Sequence, residues 1–144
     1  MGNHINKKKV LFICTHNSAR SQMAEGFLRA RYGNDYEVFS AGTEPTAVHP
    51  YAVQVMEEVG IDISSHKAKD MSEFIGQEMD EVVTVCDQAR EACPFFPYGK
   101  KSFHQSFPDP SSFRGSGEEQ LAFFRQVRDL IRDWIKKQFG PDKT

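Results

Sequence analysis

The segment from Lys9 to Tyr32 constrains the fold of this chain more than any other. It opens with an apolar, β-branched run that ends at Cys14, which is typical of a buried strand. A short polar loop follows, and a helical pattern then runs from Ser21 to Tyr32, where Gly33 ends it. A strand that turns directly into a helix is the first half of a β–α–β unit. The segment therefore predicts a parallel sheet of the α/β class.

The rest of the chain continues the alternation of strands and helices. Further strands are predicted at Glu37–Ser40, Glu81–Val85 and Ser102–Phe107. Helices are predicted from Pro50 to Gly60, from Ser64 or Ser65 to Phe74, and from Glu118 to Phe139. The apolar stripe of the last helix consists of Phe124, Val127, Leu130, Ile131 and Trp134. We expect an α/β fold, a three-layer α/β/α sandwich around a four-stranded parallel sheet.

Length and composition narrow the class of protein. The 144 residues are 39% hydrophobic and 26% charged, which predicts a single domain over 1–144 with a polar N-terminal extension at 1–8. A net charge of −2 favours no nucleic-acid partner. The first apolar run is too short for a signal peptide or a membrane span, so we expect no membrane partner and a cytoplasmic location. In that compartment three cysteines favour redox or catalytic chemistry over a disulfide framework.

The loop after the first strand has the composition of an oxyanion site. Backbone N–H groups in a tight turn form a concave nest, and the helix N-terminus behind them adds a positive dipole end. Arg20 offers a planar fork to two oxygens of a phosphate-like group, and the same field favours the thiolate of Cys14 as a nucleophile. Ser21 can donate to that sulfur, and Asn17 tolerates left-handed backbone angles. The predicted oxyanion-binding residues are Thr15, His16, Asn17, Ser18, Ala19, Arg20 and Ser21.

Three more residues whose side chains can take part in binding or catalysis follow predicted strands. Ser40, Cys86 and Asp109 should therefore meet Cys14 at the carboxyl edge of the sheet, where ligands bind in such folds. Asp109 is framed by two prolines, so its backbone is restricted, and a rigidly held acid can protonate a leaving oxygen. A plain turn aspartate is the competing interpretation.

Cys86 and Cys93 are separated by six residues and lie far downstream of Cys14. Near a thiolate loop, such a pair indicates a thiol relay rather than two core residues. Seven residues of helix would hold their α-carbons about 10 Å apart, too far for a disulfide, so pairing requires a local rearrangement from Cys86 to about Tyr98. Structural zinc is the alternative, but no Cys-x2-Cys pair and no histidine spacing supports it, and we expect no metal.

These features together resemble a known family. From about Val10 to Phe139 the chain resembles thioredoxin-coupled arsenate reductases, which share the fold of low-molecular-weight protein tyrosine phosphatases. The matching motifs are Phe12–Thr15, Asn17–Ser18, Arg20–Gly26, Ser40–Gly42, Ile61–Ser64, Val82–Thr84, Cys86 with Cys93–Pro94, and Asp109–Pro110. The three cysteines are the specific part of the resemblance, because the phosphatase loop is shared more widely.

The resemblance implies a mechanism and a partner. Cys14 would attack arsenate held by the loop and Arg20, and Asp109 would protonate the departing hydroxide. Cys86 would then attack the Cys14 sulfur, giving arsenite and an intermediate Cys14–Cys86 disulfide. Cys93 would convert it into a Cys86–Cys93 disulfide that thioredoxin reduces. This chemistry implies a role in arsenical resistance, with weak phosphatase activity as a possible side reaction.

Some members of that family bind potassium beside the loop. The positions that match the potassium ligands are Asn17, Glu25, Ser40 and, in place of an aspartate, Lys69, with Asp70 as the alternative alignment. The ammonium of Lys69 would neutralise Glu25 internally. We therefore expect these four residues to support the loop without a cofactor, and weak or absent potassium dependence. His16 also departs from the family, which often has glycine there.

Two other functions stay open at the level of sequence. A phosphatase would use Cys14, Arg20 and Asp109 with water and leave Cys86 and Cys93 idle. A sensor that binds arsenite or an oxyanion through three thiols would need no turnover, but no DNA-binding helix-turn-helix accompanies it. A monomer is the expected state.

Overall fold

The computed structural model describes residues 7–86 and 96–141. Its strands are β1 (Lys8–Cys14), β2 (Tyr36–Gly42), β3 (Met79–Thr84) and β4 (Gly99–His104). Its α-helices are α1 (Arg20–Tyr32), α2 (Pro50–Glu57) and α3 (Gly117–Phe139). Two short 3₁₀ helices occupy Met71–Phe74 and Pro110–Ser112.

The four strands form one parallel sheet in the order β2-β1-β3-β4. Cys14 is paired with Gly42 on one side of β1, and Ile13 is paired with Thr84 on the other. The predicted α/β class and the four-stranded parallel sheet are confirmed. The central strand β1 ends at Cys14, so the loop that follows it leaves from the middle of the sheet.

The three α-helices pack on one face of the sheet. Phe12 and Val83 point from the strands into this layer and are fully buried with Phe27 of α1, Val55 of α2 and Phe124 of α3. Burial of such side chains stabilises the fold by about 1.5–3 kcal/mol each. Close approach of α1 depends on a small residue, since a Cβ at Gly26 would lie 2.9 Å from Ile63 Cγ2.

The last helix is anchored at both its start and its middle. Ser116 and Glu119 form a reciprocal capping box at its N-terminus. Arg128, only 8% exposed, donates to the carbonyl of Val55 and to Glu58, both at 2.9 Å, which ties α3 to the end of α2. The predicted apolar stripe is confirmed except for Leu130, which is 51% exposed and points away from the core. None of the helices in residues 7–86 and 96–141 is long and apolar enough to cross a membrane.

The opposite face of the sheet is covered by a thinner layer in the described residues. Leu11, Ile13 and Met79 are fully buried there against Phe74 of the first 3₁₀ helix and against Phe96. The sheet is thus enclosed on both faces, as its continuous apolar strands require.

Three predicted elements differ from the structure by three residues or more. The helix predicted from Ser64 or Ser65 is reduced to the 3₁₀ turn Met71–Phe74, because the backbone before it bonds to the sheet instead: Gly42 donates to the Lys69 carbonyl. The fourth strand ends at His104 rather than Phe107. The second helix ends at Glu57, three residues before Gly60.

Candidate active site

The loop between β1 and α1 turns its carbonyl groups outward. Thr15, His16 and Ser18 accept hydrogen bonds from the backbone N–H groups of Glu44, Thr46 and His49, at 2.9, 3.2 and 2.9 Å. The segment from 44 to 49 therefore satisfies the outer edge of the loop. Carbonyl oxygens that face outward leave the inner surface of the loop to N–H groups, which is what an anion requires.

The backbone geometry of the loop also favours an anion site. Asn17 has a φ of 51°, the left-handed conformation for which its residue type was singled out in the sequence. Helix α1 begins at Arg20 after Ala19, with no side chain capping its N-terminus. The positive end of the helix dipole therefore lies directly behind the loop.

Cys14 lies at the base of this loop with its sulfur against a hydroxyl group. The residue is 2% exposed, its thiol is free, and its Sγ lies 2.8 Å from Ser21 Oγ. The side-chain amide of Asn17 donates to Ser21 Oγ at 2.8 Å and to Ser40 Oγ at 3.0 Å. The Asn17 bond occupies one acceptor position of Ser21 Oγ, and the hydroxyl proton of Ser21 is available to donate to the sulfur.

The same chain of hydrogen bonds continues to a buried carboxylate. The hydroxyl of Ser40 donates to Glu25, which is 4% exposed. Two cations flank that carboxylate, with Arg29 at 2.5 Å and Lys69 Nζ at 3.8 Å. A buried carboxylate requires such neutralisation. The sequence prediction included Lys69 but missed Arg29, one helical turn after Glu25.

Lys69 also supports the loop through its backbone. Its N–H donates to Asn17 Oδ1 at 2.9 Å, and its ammonium group donates to the carbonyl of Lys67 at 2.9 Å. Gln22, fully buried and not singled out from sequence, donates to the same Asn17 oxygen at 2.9 Å. Both ends of the Asn17 amide are therefore saturated, which fixes its orientation.

Arg20 joins the loop to the segment that carries the predicted acid. Its guanidinium is almost fully buried, donates to the carbonyl of Phe107 at 3.3 Å, and lies 3.7 Å from Asp109 Oδ2. Asp109 caps the second 3₁₀ helix, and its Oδ1 accepts from the N–H of Ser111 at 3.0 Å and from its hydroxyl at 2.7 Å. The carboxylate is thus held beside the guanidinium.

A small pocket opens where these groups meet. It is lined by Cys14, His16, Ser18, Ala19, Arg20, Asp109 and Ser111. His16 is exposed at this opening. A buried thiol, a cation and a carboxylate around one pocket are the groups that attack on a tetrahedral oxyanion and protonation of its leaving group would require.

His49 lies at the start of α2, beside the outer edge of the loop. Its Nδ1 accepts from the N–H of Tyr51 at 3.0 Å, and its ring packs 4.7 Å from the ring of Phe124. Burial lowers the pKa of His49, and the nearby carboxylate of Asp109 partly opposes that shift. The imidazole is therefore favoured in its neutral form. Sequence reasoning did not single out His49 as a functional residue.

Cys86 lies two residues after the end of β3, at the same edge of the sheet as Cys14. The two exits are adjacent, because Val85 donates to the carbonyl of Ile13 at 2.9 Å. Cys86 is fully buried and disulfide-bonded. Cys93 and most of the segment predicted to rearrange lie outside the described residues.

This combination of fold and site defines a class of enzyme that uses a thiolate on oxyanions. The chain matches the low molecular weight phosphotyrosine protein phosphatase family over residues 9–140 and belongs to that family. Within it, the chain is similar to arsenate reductases. It is 45% identical to the arsenate reductase of Halalkalibacterium halodurans, with 92% of this chain and 95% of that protein covered. It is 43% identical to the arsenate reductase of Bacillus subtilis, with 90% and 94% covered.

Solved structures show the same similarity to arsenate reductases. An arsenate reductase in a phosphate-binding state aligns with a TM-score of 0.75 at 34% identity, covering 90% of this chain and 94% of the other. A thioredoxin-dependent arsenate reductase from Corynebacterium glutamicum aligns with a TM-score of 0.62 at 27% identity, covering 90% of this chain and 61% of the other. The family predicted from the sequence motifs is confirmed.

Proposed function

We propose that this protein reduces arsenate to arsenite by a relay of three thiols and is recycled by thioredoxin. The observation that carries the proposal is the hydrogen bond between Ser21 and the free Cys14 thiol beneath a pocket lined by Arg20 and Asp109. The similarity to arsenate reductases over nine-tenths of the chain supports arsenate as the substrate.

The first step is nucleophilic attack on arsenic. The Cys14 thiolate forms an S–As bond, one As–O bond breaks, and Asp109 gives a proton to the departing oxygen, which leaves as water. Loop N–H groups and Arg20 hold the other oxygens and compensate the charge that builds on them. Arsenic is still pentavalent in this adduct.

The redox step follows when Cys86 attacks the sulfur of Cys14. An S–S bond forms, the S–As electron pair passes to arsenic, and arsenite is released as Cys14 and Cys86 are oxidised to a disulfide. Cys93 then attacks Cys86 and returns Cys14 to the thiolate. Thioredoxin supplies two electrons to the resulting Cys86–Cys93 disulfide. The adjacent exits of Cys14 and Cys86 from β1 and β3 support the second step.

The test compares the amount of arsenite formed in a single turnover with the amount formed over many turnovers. Reduced wild-type protein should form about one arsenite per protein without thioredoxin, and many with thioredoxin, thioredoxin reductase and NADPH. Cys86→Ser should form none in either assay. Cys93→Ser should still form arsenite once but stop there, because it ends at the Cys14–Cys86 disulfide. Cycling by both serine variants at the wild-type rate would exclude the relay.

Phosphate-ester hydrolysis is a second activity that the site supports. Arg20 and Asp109, 3.7 Å apart beside Cys14, form the groups that a phosphocysteine mechanism needs. Weak hydrolysis of 4-nitrophenyl phosphate that survives in Cys86→Ser and disappears in Cys14→Ser is the expected result. Vigorous hydrolysis without arsenate turnover would make the phosphatase the main activity.

We further propose that Lys69 takes the place of a monovalent cation beside the loop. The oxygens matching the potassium ligands are already engaged: Asn17 Oδ1 accepts from the Lys69 N–H, and Glu25 contacts both Arg29 and the Lys69 ammonium. Two cations at one carboxylate disfavour a third. The residues present therefore do not fit a potassium ion, and no step of the mechanism involves one.

A further inference from the structure

We propose that Ser111 is a positioning residue that directs the proton-carrying oxygen of Asp109 toward the reacting group. This inference rests on the proposed function, because it concerns the acid of the first step. Ser111 lines the pocket together with Cys14 and Arg20, and its hydroxyl group donates a hydrogen bond to the carboxylate of Asp109.

The two oxygens of the Asp109 carboxyl have different surroundings. Oδ1 receives two donors from one residue, the N–H of Ser111 at 3.0 Å and its hydroxyl at 2.7 Å. A carboxylate oxygen has about two lone-pair directions, so Oδ1 has no room for a proton of its own. Oδ2 lies 3.7 Å from the Arg20 guanidinium, at the side of the pocket. The proton to be transferred therefore sits on Oδ2.

The hydroxyl of Ser111 adds a second restraint on the Asp109 carboxyl group to the one that the N–H of Ser111 provides. Pro108 and Pro110 limit the main chain around Asp109, and Arg20 holds the carbonyl of Phe107. None of these contacts fixes the rotation of the carboxyl group about its last side-chain bond, which is intrinsically broad for aspartate. Two donors on one oxygen define the plane of the carboxyl and thus the direction of the other oxygen.

The neighbouring serine provides a matched control. Ser112 also donates through its hydroxyl, but to the main-chain carbonyl of Asp109 at 2.9 Å rather than to the carboxylate. Ser112→Ala removes a hydroxyl from the same 3₁₀ turn without freeing the carboxyl group. Ser111→Thr keeps the hydroxyl at the proposed position.

The test is the single-turnover rate of arsenite formation by reduced protein without thioredoxin, with phosphate affinity measured in parallel by calorimetry. We expect Ser111→Ala to slow arsenite formation about tenfold, since general acids contribute about 10²–10⁴-fold in total and a misdirected acid keeps part of this. Phosphate affinity should stay within about twofold. Ser111→Thr should restore the rate, and Ser112→Ala should match the wild type. In an Asp109→Asn background, Ser111→Ala should cause no further loss.

Each contrary result has a distinct meaning. A wild-type rate in Ser111→Ala would overturn the role of Ser111 and leave the reductase proposal intact. A tenfold loss that persists in the Asp109→Asn background, or that appears as weaker phosphate binding, would also overturn it, because the effect would not act through the acid. Absence of arsenite from the wild type would overturn the proposed function and this inference with it.

Discussion

The sulfur of Cys14 and the hydroxyl oxygen of Ser21 lie 2.8 Å apart, and the side-chain amide of Asn17 donates to that same oxygen. A hydrogen bond to a charged group contributes about 1.5–3 kcal/mol. We therefore assign Ser21 a role in the proposed attack by Cys14.

The first prediction concerns this contact. Ser21→Ala should slow alkylation of Cys14 by iodoacetamide at neutral pH about tenfold or more, because the thiolate loses its donor. The modified Cys14 peptide is quantified by mass spectrometry over time. Ser18→Ala, in the same loop, is the control and should alkylate at the wild-type rate. Equal rates for Ser21→Ala and wild type would mean that the hydroxyl does not stabilise the thiolate.

The second prediction concerns Lys69. Arsenate turnover by the wild type should be the same, within about twofold, in potassium and in sodium at equal ionic strength. Lys69→Asp places a second carboxylate near Glu25, so its activity should fall in sodium and recover in potassium. Lys69→Met, which keeps much of the apolar stem, is the control and should gain no preference for potassium. A several-fold stimulation of the wild type by potassium alone would contradict the proposal.

The third prediction is a pH dependence of stability. Burial lowers the pKa of His49 below its ordinary value of 6.5, so the unfolded chain binds the proton more readily than the folded one. Stability from this residue is complete above pH 6.5 and is lost as the pH falls through the lower, folded value. Urea unfolding at pH about 7.5 and about 5.5 should give a smaller free energy of unfolding at the lower pH.

The matched variant for this experiment is His49→Asn. Asparagine retains a side-chain acceptor for the start of α2 but does not titrate, so the loss of stability between the two pH values should shrink. Part of the dependence should persist, because burial also lowers the pKa of His66. An unchanged pH dependence in His49→Asn would show that this histidine does not contribute.

The fourth prediction concerns the close packing of Gly42 against the loop. A Cβ at this position would lie 2.5 Å from the Thr15 carbonyl oxygen and 2.9 Å from the Asn17 nitrogen, so Gly42→Ala must displace the loop backbone. We expect phosphate affinity, measured by calorimetry, to fall at least about tenfold. Gly117→Ala is the control, because its Cβ would meet only the end of the Tyr51 side chain at 3.0 Å. Wild-type affinity in Gly42→Ala would show that the loop adapts to the methyl group.

The sequence predicted the parts of the fold that have strong local signals. The apolar run before Cys14 and the helical pattern after it are dense enough to specify a strand and a helix without help from the rest of the chain. The capping box of Ser116 and Glu119 was missed, although a serine followed three residues later by a glutamate is its sequence signature. Sequence reasoning began the last helix at Glu118, one residue late.

The errors occur where tertiary contacts override local preference. The predicted helix from Ser64 or Ser65 fails because the Lys69 backbone bonds to Gly42 and to Asn17, partners far away in the chain. Arg29 and Gln22 were missed because polar residues in a helical pattern are expected at the surface. Nothing in the local sequence indicates that they contact the buried side chains of Glu25 and Asn17. Ser111 was detectable, since an aspartate followed by proline and serine is typical of a capped turn.

The outward carbonyl groups of the oxyanion loop show that this motif is not portable. A peptide from Lys8 to Tyr32 would contain every residue that lines the anion side of the loop, but not the segment from 44 to 49 that holds the carbonyls of Thr15, His16 and Ser18. Without those partners the carbonyl groups are free to rotate inward, where they would repel an anion. Transplanting this loop into another scaffold therefore means transplanting both segments together with Gly42, which has no side chain to displace the loop.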